Sequence, residues 1–212
     1  MTTSEAILHD YWRSSAAYRV RIVLNLKGVG YRSVQVDLRE GEQGSAAYHA
    51  INPQDFVPTL EIDGHVLTQS LAIIDYLDAT RNDPPMVSSE PARRSRTLAQ
   101  ALVVAADIHP LNNLRVLNAL RADYGADDAR VAAWVRQWIA PGFAALEAGA
   151  PASGLFGGAT PDLADVCLVP QMYNARRFEL ELGAYPKLVR IDAALCALGA
   201  FAAAAPEAVH PS

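Results

Sequence analysis

Two hydrophobic periods alternate in the first part of the chain, and one takes over in the rest. "AILHDYW" is a short, mostly apolar run of strand length, and in "SAAYRVRIVLNLKG" apolar side chains return every three or four positions up to Gly28. Those patterns predict a strand and then a helix, with Gly28 just past the helix C-terminus. "YRSVQVDL" alternates, setting Tyr31, Ser33, Gln35 and Asp37 on one face and Val34 and Val36 on the other, as a strand does. The polar "REGEQGSAAYHA" predicts a loop and a short helix. "VPTLEIDGHVLTQ" predicts two strands around Asp63 and Gly64, a dipeptide suited to a type I′ hairpin turn. "SLAIIDYLDAT" closes the unit as a helix with Ile73, Ile74 and Leu77 inward.

The pattern then breaks. "RNDPPMVSSE", residues 81–90, has two prolines, two serines and no periodicity, and reads as a linker. Beyond it the chain is alanine-rich and helical throughout, with helices expected over about 91–122, 127–147, 162–179 and 186–204. Asp162 and Asp165 have the N-cap and N3 spacing of a capping box. The fold class expected is therefore α/β plus all-α, with an α/β domain over residues 1–82 and an all-helical domain over 90–212.

Composition narrows the partners. The 212 residues carry 18 Lys and Arg against 23 Asp and Glu, a formal net charge of -5, which argues against nucleic acid. An anionic ligand would have to be held by a local cluster of arginines. Cys167 and Cys196, the only cysteines, have neither metal-site spacing nor the number for a disulfide framework, which suits a reducing compartment. "MTTSEAILHDYW" lacks a basic and then apolar leader, and no apolar run reaches the roughly 18 residues of a membrane span. A soluble cytoplasmic protein without a membrane partner is expected.

Candidate chemistry begins at "RSSAA". A helix N-terminus presents unpaired N–H groups and partial positive charge, so it favours an anion. Ser14 or Ser15 could simply be the N-cap; two hydroxyls plus Arg13 leave a donor beyond what a cap needs, directed at a thiolate or carboxylate. In "DFVPTL", Pro58 is either an edge-strand proline or, if its bond to Val57 is cis, the place where Val57 offers its N–H and C=O to an extended ligand. Ser70 in "TQSLAIIDYL" reads as an N-cap, with Gln69 beside it; the helix it opens could also receive a second carboxylate.

The helical half has its own polar intrusions. In "AADIHPLNNLRVLNAL", Pro110 should kink the helix, and His109, Asn112, Asn113 and Arg115 interrupt the apolar pattern. His109 and Asn113 share a face, as do Asn112 and Arg115. These side chains either satisfy carbonyls freed by the kink or line a groove of donors. Arg176 and Arg177 in "YNARRF" suit a helix C-terminus, or one of them enters a site. Arg19 and Arg21 are expected at the surface or between domains.

"RSSAAYRVRIVLNLKG", "NPQDFVPTLEIDG", "QSLAIIDYL", "DIHPLNNLRVL" and "LADVCLVPQMYNARRF" together span nearly the whole chain. The set resembles the zeta-class glutathione transferases, the maleylacetoacetate and maleylpyruvate isomerase family. The resemblance implies a thioredoxin-like N-terminal domain that binds glutathione, a glutathione-transferase-type helical C-terminal domain that supplies the other substrate's pocket, and a homodimer. It places Ser14 on the glutathione sulfur, with Ser15 and Ala16 lining the turn. Val57 and Pro58 meet the cysteinyl backbone, Gln69 and Ser70 the γ-glutamyl carboxylate, and Gln43 the glycyl end, with His109 and Asn113 also reaching the cofactor. Arg13, Arg115 and Arg177, from three segments, suit a dicarboxylate oxo acid with an enol oxygen, and Asn112 and Arg176 complete the implied substrate set.

The implied reaction is glutathione-dependent isomerisation of maleylacetoacetate to fumarylacetoacetate by reversible thiolate addition, rotation and elimination, without a metal. Maleylpyruvate is the alternative substrate. A conjugating transferase, an α-haloacid dehalogenase and a non-catalytic glutathione-fold binding protein are readings of other classes.

One residue departs from the family. Zeta enzymes often read Ser-Ser-Cys at this turn, and the chain reads Ser14-Ser15-Ala16. Lowering a free thiol's pKa of about 8.5 by two units takes about 2.7 kcal/mol. A hydrogen bond to a charged sulfur supplies about 1.5–3 kcal/mol, and a helix terminus about 0.3–2 kcal/mol. Those two contributions suffice without a cysteine. Ala16 argues against thiol–disulfide chemistry and leaves glutathione as the nucleophile.

Overall fold

A computed structural model describes residues 5–211. The chain divides into two compact units: one runs to Met86 and resumes at Ala197, and the other is Val87–Cys196.

The first unit carries β1 (Ala6–Asp10), α1 (Ser15–Leu26), β2 (Tyr31–Gln35), a 3-10 turn (Glu42–Gly44), α2 (Ala46–His49), β3 (Thr59–Ile62), β4 (His65–Thr68) and α3 (Ser70–Thr80). The sheet order is β2-β1-β3-β4, with β1 parallel to β2 and the other neighbours antiparallel. A crossover helix joins the parallel pair, since parallel neighbours cannot be linked by a tight turn. Helices α1 and α3 pack together, and Leu8, Val20, Val23, Leu60, Ile73 and Leu77 are fully buried. Two glycines end elements as their positions demand. Gly28, at φ +63°, donates to the Asn25 carbonyl at 3.1 Å while Val29 donates to Leu24 at 2.9 Å, a Schellman closure of α1. Asp63 and Gly64 both have positive φ, as a type I′ turn between β3 and β4 requires.

The first half of the expected linker is held in place. The Lys27 ammonium, wholly buried, donates to Asp78 Oδ1 at 2.9 Å, to the Arg81 carbonyl at 2.6 Å and to the Pro84 carbonyl at 2.9 Å. Three acceptors match the three donors of an ammonium group. Met86 is buried at the end of that stretch.

The second unit is helical: α4 (Pro91–Leu102), α5 (Leu114–Tyr124), α6 (Asp128–Gly149), α7 (Leu163–Arg177) and α8 (Pro186–Cys196). The single kinked helix expected over 91–122 is instead four pieces. A π-helical turn (Val103–Ile108) and a 3-10 turn (His109–Asn112) separate α4 from α5. Pro110 lacks an N–H for α-helical pairing, and Asn113 turns extended at φ -66°, ψ 144° to start α5 afresh. The Leu111 carbonyl in this break is satisfied from α6, by the Trp134 indole N–H at 2.8 Å. At α7 both reciprocal bonds of the Asp162–Asp165 capping box are present.

The helix expected over 186–204 stops at Cys196, and the helical domain is correspondingly shorter than 90–212 at its end. Residues from Ala197 onward form the short α9 (Gly199–Ala202) and α10 (Pro206–Val209) and belong to the first unit. Asn25 Nδ2 donates to the Ala200 carbonyl at 3.0 Å and Arg21 Nε to the Ala204 carbonyl at 3.0 Å.

Candidate active site

The turn between β1 and α1 is anchored from beneath. Arg21 Nη1 bonds Asp10 Oδ1 at 2.6 Å with both side chains wholly buried, and Nη2 donates to the Trp12 carbonyl at 2.9 Å. Arg19, 2% exposed, donates to Ser70 Oγ at 3.0 Å. The expectation that both arginines lie at the surface or between domains is corrected: each is buried because its guanidinium meets acceptors inside the first unit. A buried charge left without its partner costs about 3–5 kcal/mol, so the Arg21 pair constrains the turn above it.

Ser14 is the N-cap of α1, its Oγ accepting from the Ala17 N–H at 3.2 Å. The cap uses a lone pair and leaves the hydroxyl proton to be donated. One serine can therefore cap the helix and still have a proton to offer. Ser15 is the first residue of α1 and half-buried. Arg13, also half-buried, rests 5.3 Å from the Trp12 ring centroid.

Val57 and Pro58 are buried and joined by a cis bond. The Val57 side chain packs with Tyr11, Val36 and Tyr48, with Trp12 and Leu38 against the cluster. Among the described residues neither the N–H nor the C=O of Val57 has a partner. Buried backbone groups are almost always paired, so this donor–acceptor couple is suited to an extended ligand.

Ser70 is not the N-cap of α3. Gln69 holds that position at φ +66°, ψ 115°, without a side-chain cap, while its amide donates to Gln54 Oε1 at 3.0 Å. The left-handed backbone of a non-glycine residue costs about 1–3 kcal/mol. It leaves the first-turn N–H groups of α3 open to an anion, with the Arg19 guanidinium alongside at Ser70. Gln43 lies in the Glu42–Gly44 turn with its Oε1 buried and unpartnered, and the buried Tyr11 hydroxyl is likewise unpartnered among the described residues. Neither Tyr11, just past a strand, nor Gln54, in a loop, carries a mark in the sequence that sets it apart.

In the second unit, His109 opens the 3-10 turn and Asn113 caps α5 by accepting from the Arg115 N–H at 3.1 Å. Asn112 keeps both amide atoms buried without partners. Arg115 is exposed at the start of α5. The structure separates the two arginines of α7. Arg176 Nη2 bonds Asp192 Oδ2 at 2.5 Å, while the Arg177 guanidinium sits 4.9 Å from the Phe178 ring centroid. Arg176 thus holds α8 to α7 while its side chain stays 47% exposed. Gln171, 1% exposed with both amide atoms unpartnered, went unnoticed in the helical pattern. Neither thiol is a ready nucleophile: Cys167 is fully buried, and burial with the Asp192 charge pushes Cys196 up to about 11.

Residues 8–85 match the glutathione S-transferase N-terminal domain. Over 211 residues the chain is 47% identical to the maleylacetoacetate isomerase of Rhizobium meliloti (strain 1021), covering 98% of this chain and 99% of that protein. The chain belongs to the zeta-class glutathione transferases. A zeta-class maleylpyruvate isomerase, solved in its holo form, superposes with a TM-score of 0.95 at 44% identity, over 97% of this chain and 99% of that one. A maleylacetoacetate isomerase from Methylobacterium extorquens AM1, solved with malonate and GSH bound, has a TM-score of 0.92 at 39% identity, over 97% and 100%. In this zeta-class chain the four-stranded unit is the thioredoxin-like half of the transferase fold, and the helices α4 to α8 are its C-terminal region. Among the described residues no helix is long and apolar enough to cross a membrane.

Proposed function

We propose that this zeta-class enzyme catalyses glutathione-dependent cis–trans isomerisation of a maleyl oxo acid, maleylacetoacetate to fumarylacetoacetate. The observation that carries the reading is the Ser14 hydroxyl, which caps α1 with its acceptor side and keeps its proton for an anion. Two further features of the first unit fit the remaining parts of a γ-glutamyl tripeptide: the unpartnered backbone of Val57, and the uncapped start of α3 at Gln69 and Ser70. Gln43 is the candidate for the glycyl end. When bound, glutathione supplies a thiolate that adds to the cis double bond and leaves again, so that the bond can rotate in between.

The chain's own residues do the rest. Ser14 donates to the sulfur and, with the partial positive charge of the α1 terminus, favours its ionised form. Arg13 holds one carboxylate of the oxo acid, and in the second unit Arg115 and Arg177 are the proposed partners of the other carboxylate and of the oxygen that gains negative charge. Asn112 is a proposed donor to the substrate beside them, His109 and Asn113 are proposed contacts of glutathione, and Ser15 lines the turn. A cytoplasmic homodimer is part of the same reading, and light scattering tests the dimer.

A second reading, maleylpyruvate as the substrate, is favoured by the likeness to the holo maleylpyruvate isomerase. Purified protein given maleylacetoacetate or maleylpyruvate, with and without glutathione, discriminates the two by relative kcat/KM. Conversion of neither, together with glutathione-dependent halide release from an α-haloacid, would replace both by the dehalogenase.

A further inference from the structure

Trp12 is half-buried and held by Gln35, Arg21, Tyr11 and His210, and Arg13 rests on Trp12. The Trp12 N–H donates to Gln35 Oε1 at 3.2 Å, and its carbonyl accepts from Arg21 at 2.9 Å. Its ring packs at a tilt against Tyr11, with centroids 5.8 Å apart. From the C-terminal segment His210 meets it edge-on, at 4.3 Å between centroids and 67° between planes. The Arg13 guanidinium rests on the same indole at 5.3 Å, and among the described residues no carboxylate pairs with it.

That combination has a chemical consequence. An ion pair would consume the N–H fork of Arg13, whereas an aromatic face fixes the plane of a guanidinium and leaves its donors free for a carboxylate. The orientation of the indole then sets the orientation of the fork. Edge contacts between rings are directional, so His210 is placed to choose that orientation. We propose that Trp12 and His210 are positioning residues for Arg13: the C-terminal segment holds the indole on which the guanidinium rests, and so sets affinity for a carboxylate of the substrate. The inference rests on the role given to Arg13 above.

The test uses malonate as a non-reacting dicarboxylate, its Kd measured by calorimetry on the glutathione-saturated protein, beside steady-state kinetics with the oxo acid. His210→Ala raises the malonate Kd and the oxo-acid KM about two- to fivefold, the loss of one exposed cation–π contact. It leaves kcat and the glutathione Kd unchanged, because the ring contact of His210 is with Trp12. His210→Phe, which keeps a ring edge, restores wild-type values, and His210→Ala adds nothing in an Arg13→Ala background. If His210→Ala folds poorly, Trp12→Leu is read on the malonate Kd and the oxo-acid KM alone, since it removes the platform but also touches the Val57 cluster. Unchanged malonate affinity in these variants, with Arg13→Ala still weakening it, overturns the proposal and leaves the role of Arg13 standing. A malonate Kd indifferent to Arg13→Ala overturns that role itself.

Discussion

Replacing Ser14 by Gly separates the two duties of its hydroxyl. The cap on Ala17 is worth about 0.5–2 kcal/mol against Ala but only a few tenths against Gly, so Ser14→Gly keeps the helix close to wild-type stability and Ser14→Ala does not. The hydrogen bond to a charged sulfur is lost in both. At about 1.5–3 kcal/mol, its loss raises the bound thiol's pKa by about one to two units. A thiol poised near about 6.5 in the wild type would then titrate near about 7.6 to 8.7 in Ser14→Gly. At about pH 6.5 the ionised fraction drops from about half to between about 1 and 7 per cent, while at about pH 9 both forms are mostly ionised. Ultraviolet absorbance of the thiolate, followed against pH with glutathione saturating, reads the shift directly. Activity follows with a large deficit in kcat/KM at the lower pH and a small one at the higher. A bound thiol that titrates in Ser14→Gly as in the wild type would refute the assignment, and so would a deficit equal at both pH values.

Three further outcomes follow from the same geometry. Gln69→Gly relieves the positive φ and raises stability to urea by about 1 kcal/mol, while weakening glutathione binding in calorimetry because the side chain beside Gln54 is gone. Arg21→Met strands the buried Asp10 carboxylate and lowers the unfolding free energy by about 3–5 kcal/mol, much of which Asp10→Leu restores in the double variant. At the capping box, burial and the nearby Asp162 charge push Asp165 up to about 7, although three backbone N–H groups oppose this. Its folded value is the higher, so the stability it contributes is complete below about pH 4 and is lost as pH rises through about 7. Urea unfolding across that window shows the decline, and Asp165→Asn, which cannot titrate, flattens its share of it.

Local patterns were readable where one residue type answers one backbone demand. Gly28 past α1, Gly64 in the hairpin, and Asp162 with Asp165 at α7 each carry their reason in the sequence. Long-range pairing left no such trace. Arg19 and Arg21 read as surface or interdomain residues, because Ser70, Trp12 and Ala204, which receive them, lie far apart along the chain. The same holds for α9 and α10: the alanine run past Cys196 is helical by composition, yet its carbonyls are claimed by Asn25 and Arg21. Periodicity also missed the break between α4 and α5, since π and 3-10 turns keep apolar residues nearly in phase with an α-helix. Of the candidate site residues, Ser14 was legible as a helix N-cap. The uncapped start of α3 was hidden, because Ser70 has the identity of a cap without its position.

Under the proposed addition and elimination, glutathione is returned unchanged at every turnover. The direct measurement follows maleylacetoacetate and free glutathione together over many turnovers of the purified protein, with catalytic glutathione. Full conversion to the fumaryl isomer at constant glutathione, and no conversion without it, is the expected result. Glutathione consumed in step with substrate, or isomerisation that proceeds in its absence, would contradict it.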